Sequence, residues 1–393
     1  MKVLILGTRY APIPNVEGGA IETLVTDYLK YAKNKDDDIT VYSAFSKKIN
    51  KETLSNYTNI NFRFIDTSSV KFNFFSAVFG ILRRIIKKRF VSNYYVTQIV
   101  KDIKKKGESA SYDKIIIENE LSSIPLIRKK IKGEIISHIH NDYFNKQTPS
   151  INIIAKSCDE VWCVSKYIMN RVKETPIDKK KIKLLYNGVD FSKMDTHKNY
   201  KKTIEKYNLE ESNFIILYVG RIIEEKGVLE LIKAFNKIPN NNDEIKLLIV
   251  GDKINNKKSK EYYVKVKDES SNNRNIIFAG YIDYENISDL YCISTIQAIP
   301  SICQEAFGLI AVEGMYHGLP IIATNTGGLA EIVNDKTGMV IEKTDIVENI
   351  RIAIQYFIKN PSNLEKIKIY NKKRALEYSS EKYCENFYKL LHK

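Results

Sequence analysis

The chain has 393 residues, of which 44% are apolar and 28% are charged, and its formal net charge is +15. This length suits two or three domains with full hydrophobic cores, and the even spread of apolar residues excludes a disordered chain. No run approaches the 18 or so uncharged apolar residues of a membrane-spanning helix, which argues against an integral membrane protein.

Short apolar runs alternate with helix-length segments along the first half of the chain. The opening run, KVLIL (2–6), is too short for a signal peptide and predicts a buried strand, so the expected compartment is the cytoplasm. Near-continuous apolar strands separated by helices predict a parallel sheet covered on both faces. Further strands are predicted at 39–43, 60–65, 114–119, 134–140 and 160–165.

The second half repeats this pattern after a polar segment, 191–202, that predicts a linker. From Thr344 onward the pattern is helical only. The predicted fold class is α/β, with two doubly wound, Rossmann-like domains at 1–190 and 200–377. Ligands bind such sheets beyond the carboxyl ends of the strands, so the residues just after the strands carry the functional hypotheses. The strands of this half are predicted at 214–220, 246–251, 275–281, 298–301 and 320–324.

Three loops that follow predicted strands could receive an anion. Gly18-Gly19 and Gly327-Gly328 each precede a helix, where backbone amides are exposed, although a flexible turn is the simpler interpretation of a Gly-Gly pair alone. The third loop, GRIIEEKG, places Arg221 and Lys226 between a strand and a helix, which is an arrangement suited to phosphate. A solvated surface turn is the alternative for that loop.

The stretch QEAFGLIAVEGMYHGLP places two acids at the end of a strand and along the following helix. Glu305 lies at the positive end of that helix, and Glu313 lies on its second turn. Carboxylates at these positions can accept hydrogen bonds from sugar hydroxyls. The alternative is an ordinary N-terminal acid followed by a solvated helix acid.

No metal site is predicted. The five cysteines form no C-x-x-C pair, and the run 36–38, DDD, is interpreted as solvated surface. His138 and His140, at the end of the fifth strand, are predicted to point to opposite faces of the sheet, and no third ligand has suitable spacing. Which of the two histidines faces a ligand is left open, and a structural role is the alternative for both.

The segments VGRIIEEKGVLELIKAF, FAGY, PSICQEAFGLIAVEGMYHGLPIIATNTGGLAEIV and NGVD together resemble the family-four retaining glycosyltransferases of bacterial cell-surface polysaccharide synthesis, which have the GT-B fold. The resemblance is strongest between residues 187 and 333. It implies two Rossmann-like domains facing an interdomain cleft, with the terminal helix, about 378–393, crossing back to the first. It also implies transfer of a hexosyl-type sugar from a nucleotide-sugar donor, UDP by family frequency, to a glycan or lipid-linked acceptor. Neither a cofactor nor a metal is expected.

The resemblance also assigns roles to residues of this sequence. Arg221 and Lys226 are expected to neutralise the donor diphosphate, and His140 to lie beside the reacting carbon. Glu305 should hold hydroxyls of the transferred sugar, and Glu313 should bind the ribose. The other expected donor-binding residues are Gly18, Gly19, Tyr281, Ile282, Ala306, Phe307, Gly308 and Leu309, of which 281 and 282 would seat the base.

Two further classes of function remain open at this point. A non-catalytic GT-B-like accessory subunit could lack the charged residues, whereas Arg221, Lys226, Glu305 and Glu313 are all present. A UDP-sugar epimerase could share the architecture, but the complete set of residues favours transfer. Gly314, where the family usually has alanine, predicts a helix looser by about 1 kcal/mol.

The positive charge is concentrated in the first half, where residues 1–195 carry 34 Lys and Arg against 21 Asp and Glu. Residues 71–106 mix Phe, Ile and Tyr with dense Lys and Arg, which predicts contact with an anionic membrane surface. The family resemblance implies a role in capsule, exopolysaccharide or other surface-glycan assembly. The alternative for residues 71–106 is an amphipathic core helix with a solvated basic side. No nucleic-acid motif is present, so nucleic acid is not an expected partner.

Overall fold

The computed structural model describes residues 1–85, 93–194, 200–239 and 244–393. These residues form two compact units, Met1–Gly188 together with Ser380–Lys393, and Val189–Ser379. Residues 86–92 of the basic and aromatic segment and residues 195–199 of the predicted linker lie outside the described part of the chain.

Each unit is built on a fully parallel sheet. Among the described residues, the first sheet has seven strands in the order β3-β2-β1-β4-β5-β6-β7, and the second has six in the order β10-β9-β8-β11-β12-β13. The strands predicted from apolar runs are all present, and the α/β prediction is confirmed. The strands are β1 Lys2–Leu6, β2 Asp38–Ala44, β3 Ile60–Ile65, β4 Lys114–Glu118, β5 Glu134–Ile139, β6 Glu160–Cys163, β7 Ile182–Leu184, β8 Phe214–Val219, β9 Ile245–Val250, β10 Ile276–Gly280, β11 Ile296–Ile299, β12 Ile321–Thr324 and β13 Gly338–Ile341.

Helices connect the parallel strands and bury their apolar faces against the sheets. None of the described helices is long and apolar enough to cross a membrane. The α-helices are α1 Ala20–Ala32, α2 Lys51–Ser55, α3 Val70–Ile85, α4 Tyr94–Lys105, α5 Ile124–Lys130, α6 Ile151–Ser157, α7 Lys166–Lys173, α8 Tyr200–Lys206, α9 Val228–Asn236, α10 Lys257–Ser270, α11 Ser288–Ile293, α12 Leu309–Tyr316, α13 Leu329–Ile332, α14 Ile346–Lys359, α15 Pro361–Ala375 and α16 Ser380–Leu391. Short 3₁₀ turns lie at Leu121–Ser123, Lys179–Lys181, Phe191–Lys193, Glu224–Lys226, Tyr284–Asn286 and Leu376–Tyr378.

The last helix, α16, completes the core of the first unit. Phe387 is fully buried there, with its ring centroid 3.8 Å from that of Tyr28 and 5.1 Å from that of Trp162. At its end, His392 Nε2 lies 2.9 Å from Asp37, whose carboxylate also lies 3.4 Å from the amino terminus. The interpretation of residues 36–38 as solvated is therefore wrong at Asp37, which is buried and ion-paired within the fold.

The predicted linker is also corrected where the structure describes it. Phe191 and Met194 are buried, and the ring of Phe191 stacks on Tyr316 at 4.1 Å. The main-chain oxygen of Met194 accepts a hydrogen bond of 2.5 Å from the Ser288 hydroxyl. These apolar anchors lie in a mainly polar segment, so hydrophobic periodicity alone does not reveal them.

The strand order locates a crevice in each unit. The direction of strand addition reverses between β1 and β4 in the first sheet, and between β8 and β11 in the second. At such a reversal the connections leave on opposite faces of the sheet, which opens a binding crevice beyond the carboxyl ends of the two strands. The loops after β8 and β11 contain Arg221, Lys226 and Glu305, so these residues follow the strands that border the crevice of the second unit.

Candidate active site

The two loops beside the crevice of the second unit are joined by close backbone contacts. Gly227 has a φ of +68°, and a Cβ placed on it would lie 1.9 Å from the carbonyl oxygen of Pro300 at the end of β11. The amide of Ile302 donates a hydrogen bond of 2.9 Å to the carbonyl of Glu225. Only glycine allows this approach, and the approach fixes Lys226 beside the loop that carries Glu305.

Lys226 and Glu305 form an ion pair in this crevice. Lys226 Nζ lies 2.5 Å from Glu305 Oε1, and their side chains are 19% and 16% exposed. The same oxygen accepts a 2.5 Å hydrogen bond from the hydroxyl of Ser301. Within the described part of the chain, no donor reaches Oε2 of Glu305. One oxygen of the carboxylate is thus anchored, and the other is available to accept a hydrogen bond from a ligand.

The loop after β12 holds the backbone of Glu305. Gly328 donates a 2.7 Å hydrogen bond from its amide to the carbonyl of Glu305. A Cβ on Gly327, where φ is +52°, would lie 2.1 Å from that carbonyl oxygen. The Gly327-Gly328 pair, predicted as an anion loop, therefore serves in the structure to support the acid.

Arg221 adds a second cation near the same strand end. Its carbonyl oxygen accepts a 2.8 Å hydrogen bond from the buried hydroxyl of Tyr218. Its side chain is exposed, and no carboxylate of the described residues pairs with its guanidinium. An unpaired guanidinium on a fixed backbone is well suited to a phosphate, which it can bind through two parallel hydrogen bonds.

Glu313 lies in a separate buried cluster on α12. It is 8% exposed, and it accepts hydrogen bonds from Tyr291, at 2.9 Å, and from Tyr284. Burial raises the pKa of its carboxyl, against the opposing effect of the two tyrosine hydrogen bonds. The alternative of a solvated helix acid is therefore wrong. No described contact joins Glu313 to Glu305, so the two acids belong to distinct local networks.

The glycine after Glu313 has a packing reason. A Cβ on Gly314 would lie 1.9 Å from Oε1 of Gln297, a fully buried side chain of β11. The amide nitrogen of Gln297 donates a 3.1 Å hydrogen bond to the carbonyl of Ile310 in α12. The space left by the missing methyl group is thus filled by a side chain that ties α12 to the sheet. The prediction that Gly314 loosens this helix took only helix propensity into account and not this packing.

The remaining predicted donor-binding residues of the second unit lie in two places. Residues 306–309 form the turn into α12, where Gly308 has a φ of +114° and the first helical amides lack intrahelical partners. Tyr281 and Ile282 follow β10, the edge strand, and the Tyr281 ring is 73% exposed. No described contact joins Tyr281 to Lys226 or Glu305.

In the first unit, the two histidines share one carboxylate. His140 Nε2 lies 2.8 Å and His138 Nδ1 3.1 Å from Oε2 of Glu118, and all three side chains are nearly or fully buried. The prediction that the histidines point to opposite faces is wrong, because residues two apart in a strand lie on the same face. The sequence reasoning also missed Glu118, which pairs in register with His138 across β4 and β5.

The charge state of this cluster follows from its hydrogen bonds. Burial disfavours ionisation of Glu118, but the adjacent histidines outweigh it and lower its pKa to about 2. Burial lowers the pKa of His140 to about 4, with the charge of His138 acting in the same direction. An ionised carboxylate can only accept, so Nε2 of His140 carries the proton and Nδ1 is left as an acceptor.

The same three residues could hold a metal ion, since their ligand atoms all lie within 4.8 Å of one another. Two imidazoles and a carboxylate are a common donor set for zinc. In the structure, however, both histidines hydrogen-bond to Glu118, and Nε2 of His138 has no hydrogen-bond partner among the described residues. The sequence spacing predicted that no third metal ligand accompanies the two histidines. Glu118 corrects that prediction.

The Gly18-Gly19 loop lies next to a buried acid. The hydroxyl of Thr8 donates a hydrogen bond to Glu22, and a Cβ on Gly19, at a φ of +118°, would lie 2.3 Å from the other carboxyl oxygen of Glu22. Burial raises the pKa of Glu22. A Cβ on Gly18 would meet no atom within 4 Å, so the approach to this loop is open on the side of Gly18.

Comparison with known proteins relates this architecture to carbohydrate enzymes. Residues 199–374 match the family model described as glycosyl transferases group 1. The Anabaena protein HepE, solved with UDP and glucose, superposes with a TM-score of 0.75 at 18% identity, over 100% of this chain and 99% of that one. The chain has the GT-B fold. The predicted fold class is thereby confirmed.

Two curated relatives match about half of the chain. A lipopolysaccharide 1,2-N-acetylglucosaminetransferase of Salmonella typhimurium is 27% identical over 245 residues, which are 61% of this chain and 61% of that protein. A capsular polysaccharide biosynthesis glycosyltransferase of Staphylococcus aureus is 32% identical over 192 residues, which are 48% of each chain. The chain therefore spans about half to three-fifths of the length of these relatives.

Proposed function

We propose that this protein is a retaining, metal-independent glycosyltransferase that transfers a hexosyl group from a nucleotide sugar to a glycan or lipid-linked acceptor. The observation that carries the proposal is the crevice between β8 and β11. It holds an anchored carboxylate with one open oxygen, paired to Lys226 and accompanied by the unpaired Arg221. That crevice lies inside the region that matches the glycosyl transferases group 1 model.

The chemistry follows from the hydrogen-bonding capacity of these groups. Lys226 has three N–H donors, of which Glu305 engages one, so the others can bind phosphate oxygens. Together with Arg221, it would stabilise the negative charge that develops on the leaving nucleoside diphosphate. The open Oε2 of Glu305 would accept from a hydroxyl of the sugar and orient it. We assign no enzymatic nucleophile, and the leaving phosphate would accept the proton of the incoming hydroxyl.

UDP is the nucleotide that we propose, supported by the complex of the Anabaena protein with UDP and glucose. The exposed ring of Tyr281 would stack on the base. Capsule or lipopolysaccharide assembly is the proposed process, supported by the names of the Staphylococcus aureus and Salmonella typhimurium relatives.

The test is release of nucleoside diphosphate from a panel of nucleotide sugars, with anomeric configuration followed by NMR. Lys226→Ala and Glu305→Gln should each lower turnover by about 10²-fold or more. Arg351→Ala is the matched control, because it removes a 2.5 Å ion pair with Glu348 on α14 and should leave turnover unchanged. An isomerised donor without release would indicate an epimerase, and no turnover of any donor would indicate an accessory subunit.

Metal independence is tested in the same assay. Turnover should survive EDTA, and the purified protein should contain less than one equivalent of zinc by mass spectrometry. Loss of turnover in EDTA with recovery on zinc would overturn this part of the proposal. It would also point to Glu118, His138 and His140 as the ligands.

We further propose that α3 contacts the inner face of the cell membrane. Val70, Phe74 and Ile81 on this helix are 87%, 63% and 54% exposed, and residues 71–106 are rich in Lys and Arg. An apolar face beside basic residues suits an anionic bilayer. The protein should sediment with vesicles containing phosphatidylglycerol and not with phosphatidylcholine alone.

The variant pair Phe74→Ser and Ile81→Ser should abolish that sedimentation. The matched control is Ile352→Ser with Ile369→Ser, which removes two apolar side chains that are 50% and 67% exposed on α14 and α15. Equal sedimentation of both double variants would refute the assignment to α3.

A further inference from the structure

A basic groove lies at the edge of the first sheet, between β3 and α4. Among the described residues, β3 is the end strand of that sheet. The groove has a volume of about 500 Å³ and is lined by β2, β3, α4 and the residue that follows α4. We call it the α4 groove. It shares no lining residue with a second cavity of the first unit, which lies beyond β1 and β4.

The helical repeat of α4 places charged side chains along this groove. Lys101 and Lys105 are four residues apart, and with Asp102 they lie on one side of the helix. Apolar residues on the other side, among them Ile99 and Ile103, are buried. Like charges at this spacing repel each other and weaken a helix slightly, so the fold gains nothing from the lysine pair.

The lysines of the α4 groove are available to an anion. Lys101, Lys105 and Lys106 are all exposed, and none of the described carboxylates lies within ion-pair distance of them. The pKa of Glu108 is lowered mainly by its hydrogen bonds to Arg63, and Lys106 adds to this effect from a longer distance. Exposed and unpaired ammonium groups are within reach of a ligand that enters the groove.

Arg63 lines the α4 groove from the sheet and is fixed by its neighbours. It pairs in register with Tyr42 of β2, so the two side chains lie on the same face of the sheet. The Arg63 guanidinium donates hydrogen bonds to Glu108, at 2.6 and 2.8 Å, and to the Tyr42 hydroxyl, at 2.9 Å. That hydroxyl in turn donates to Asp102 at 2.6 Å. These bonds use three of the five N–H groups of the guanidinium, and the other two have no acceptor among the described residues.

The charges of the α4 groove do not cancel. Its lining contains one carboxylate, on Asp102, and four cationic side chains, those of Arg63, Lys101, Lys105 and Lys106. Glu108, outside the lining, neutralises Arg63, which leaves an excess of two positive charges. A phosphomonoester carries a charge of about −1.5 to −2 near pH 7 and three terminal oxygens that accept hydrogen bonds, whereas a phosphodiester carries a single negative charge. The excess charge of the groove therefore matches a phosphomonoester.

We propose that the α4 groove binds a phosphomonoester, presented by a lipid headgroup or by a soluble phosphorylated molecule. The lysine ammonium groups neutralise the phosphate, and the fixed guanidinium of Arg63 supplies directional hydrogen bonds.

A lipid source agrees with the proposed membrane contact of α3, because that helix packs on the start of α4. The ring centroid of Tyr94 lies 5.2, 5.5 and 5.3 Å from those of Phe72, Phe75 and Phe79. Binding of a phosphomonoester depends neither on the membrane contact nor on the proposed transferase function.

The test in solution compares methyl phosphate with dimethyl phosphate by phosphorus NMR titration at constant ionic strength and about pH 7.5, where the monoester is doubly charged. The full chain carries Arg221→Ala and Lys226→Ala, so that the crevice of the second unit does not contribute a second phosphate site. We expect methyl phosphate to bind about fivefold or more tightly than dimethyl phosphate. Adding Lys101→Gln and Lys105→Gln should weaken the binding of methyl phosphate by about tenfold or more. The temperature of thermal unfolding should not fall, because these changes remove a repulsion between exposed side chains.

The matched control is Lys368→Gln with Lys372→Gln, added to the same chain. It removes two exposed lysines that are also four residues apart, on α15 of the second unit and outside the α4 groove. It should leave the affinity for methyl phosphate unchanged. Equal affinities of the two lysine double variants, or no preference for methyl phosphate over dimethyl phosphate, would overturn the inference.

The source of the phosphate is identified with vesicles and the otherwise unmodified chain. Phosphatidylcholine vesicles contain either phosphatidate or phosphatidylglycerol, at equal surface charge. Stronger sedimentation with phosphatidate, lost with Lys101→Gln and Lys105→Gln, would support the site and assign it to a lipid headgroup. Equal sedimentation with both lipids, together with the expected binding of methyl phosphate, would support the site and assign it to a soluble ligand. Because the titration in solution contains no membrane, failure of the membrane proposal for α3 is recognised separately.

Discussion

Substituting Gly327 by alanine should test how the loop after β12 supports Glu305. The added Cβ would lie 2.1 Å from the carbonyl oxygen of Glu305 and 2.9 Å from its nitrogen. Such contacts essentially never fall below 3.0 Å, so the backbone at Glu305 has to move by about 0.9 Å. The φ of +52° adds about 1–2 kcal/mol of strain for a residue with a side chain.

The functional effect should exceed the effect on stability. A displacement of this size would move the open oxygen of Glu305 away from the sugar proposed to bind there, and would disturb its pairing with Lys226. A misplacement of about 1 Å in an active site can lower the rate by about 10²-fold. We therefore expect Gly327→Ala to lower kcat by one to two orders of magnitude, while the protein remains folded.

The control isolates the contact from the strain. Gly107 also has a positive φ, of +73°, but a Cβ on it would meet no atom within 4 Å. Gly107→Ala should therefore destabilise the first unit slightly and leave turnover intact. Both variants would be compared by initial rates of nucleoside diphosphate release and by thermal unfolding. If Gly327→Ala turned over as fast as Gly107→Ala, the idea that this loop positions Glu305 would be refuted.

Three further outcomes are expected. Gly314→Ala should lower the free energy of unfolding by about 1–3 kcal/mol, and by less in a Gln297→Ala background where the clash is gone, as a double-mutant cycle in urea would show. Because the pKa values of His140 and Glu118 are lowered to about 4 and about 2, their contribution to stability should be complete above pH 6.5. As the pH drops from 6.5 toward 2, the contribution of this hydrogen-bonded cluster as a whole should fall by roughly 3 kcal/mol or more, and a flat profile of urea midpoints would contradict this assignment. Phe387→Ala should destabilise the first unit by about 3–5 kcal/mol in the same titration, and a loss below 1 kcal/mol would show that α16 contributes little to that core.

The sequence predicted the sheets well because parallel strands are buried on both faces. Runs such as KVLIL and FIILYV have no polar interruption. The position of these strands in the sequence is therefore evident without knowing which strands they pair with. The exceptions are β7, Ile182–Leu184, which has only three residues, and β13, Gly338–Ile341, where only three apolar residues follow the glycine and the burial is partial. An edge strand this short is not distinguishable from a turn by composition.

The site was less predictable because its contacts are long-range. Glu118 is simply the last residue of an apolar strand until the register of β4 with β5 places it beside His138. A strand-end acid on the strand next to an H-x-H pattern is the signal that could have suggested the pairing. Tyr291 gave no such signal, because its hydrogen bond to Glu313 links residues 22 positions apart.

The positive charge of the first half of the chain does not lie in the cavity beyond β1 and β4 of the first unit. Residues 1–195 carry an excess of 13 basic residues, yet the cavity beyond β1 and β4 is lined by three carboxyl groups and one guanidinium. The excess positive charge therefore cannot serve a ligand in that cavity. Because 15 of the basic residues, against 5 acidic ones, lie between 71 and 132, they suit an anionic partner outside the cavity. This is the reason for proposing that α3 contacts an anionic membrane surface, rather than that the positive charge serves a ligand in the crevice of the first sheet.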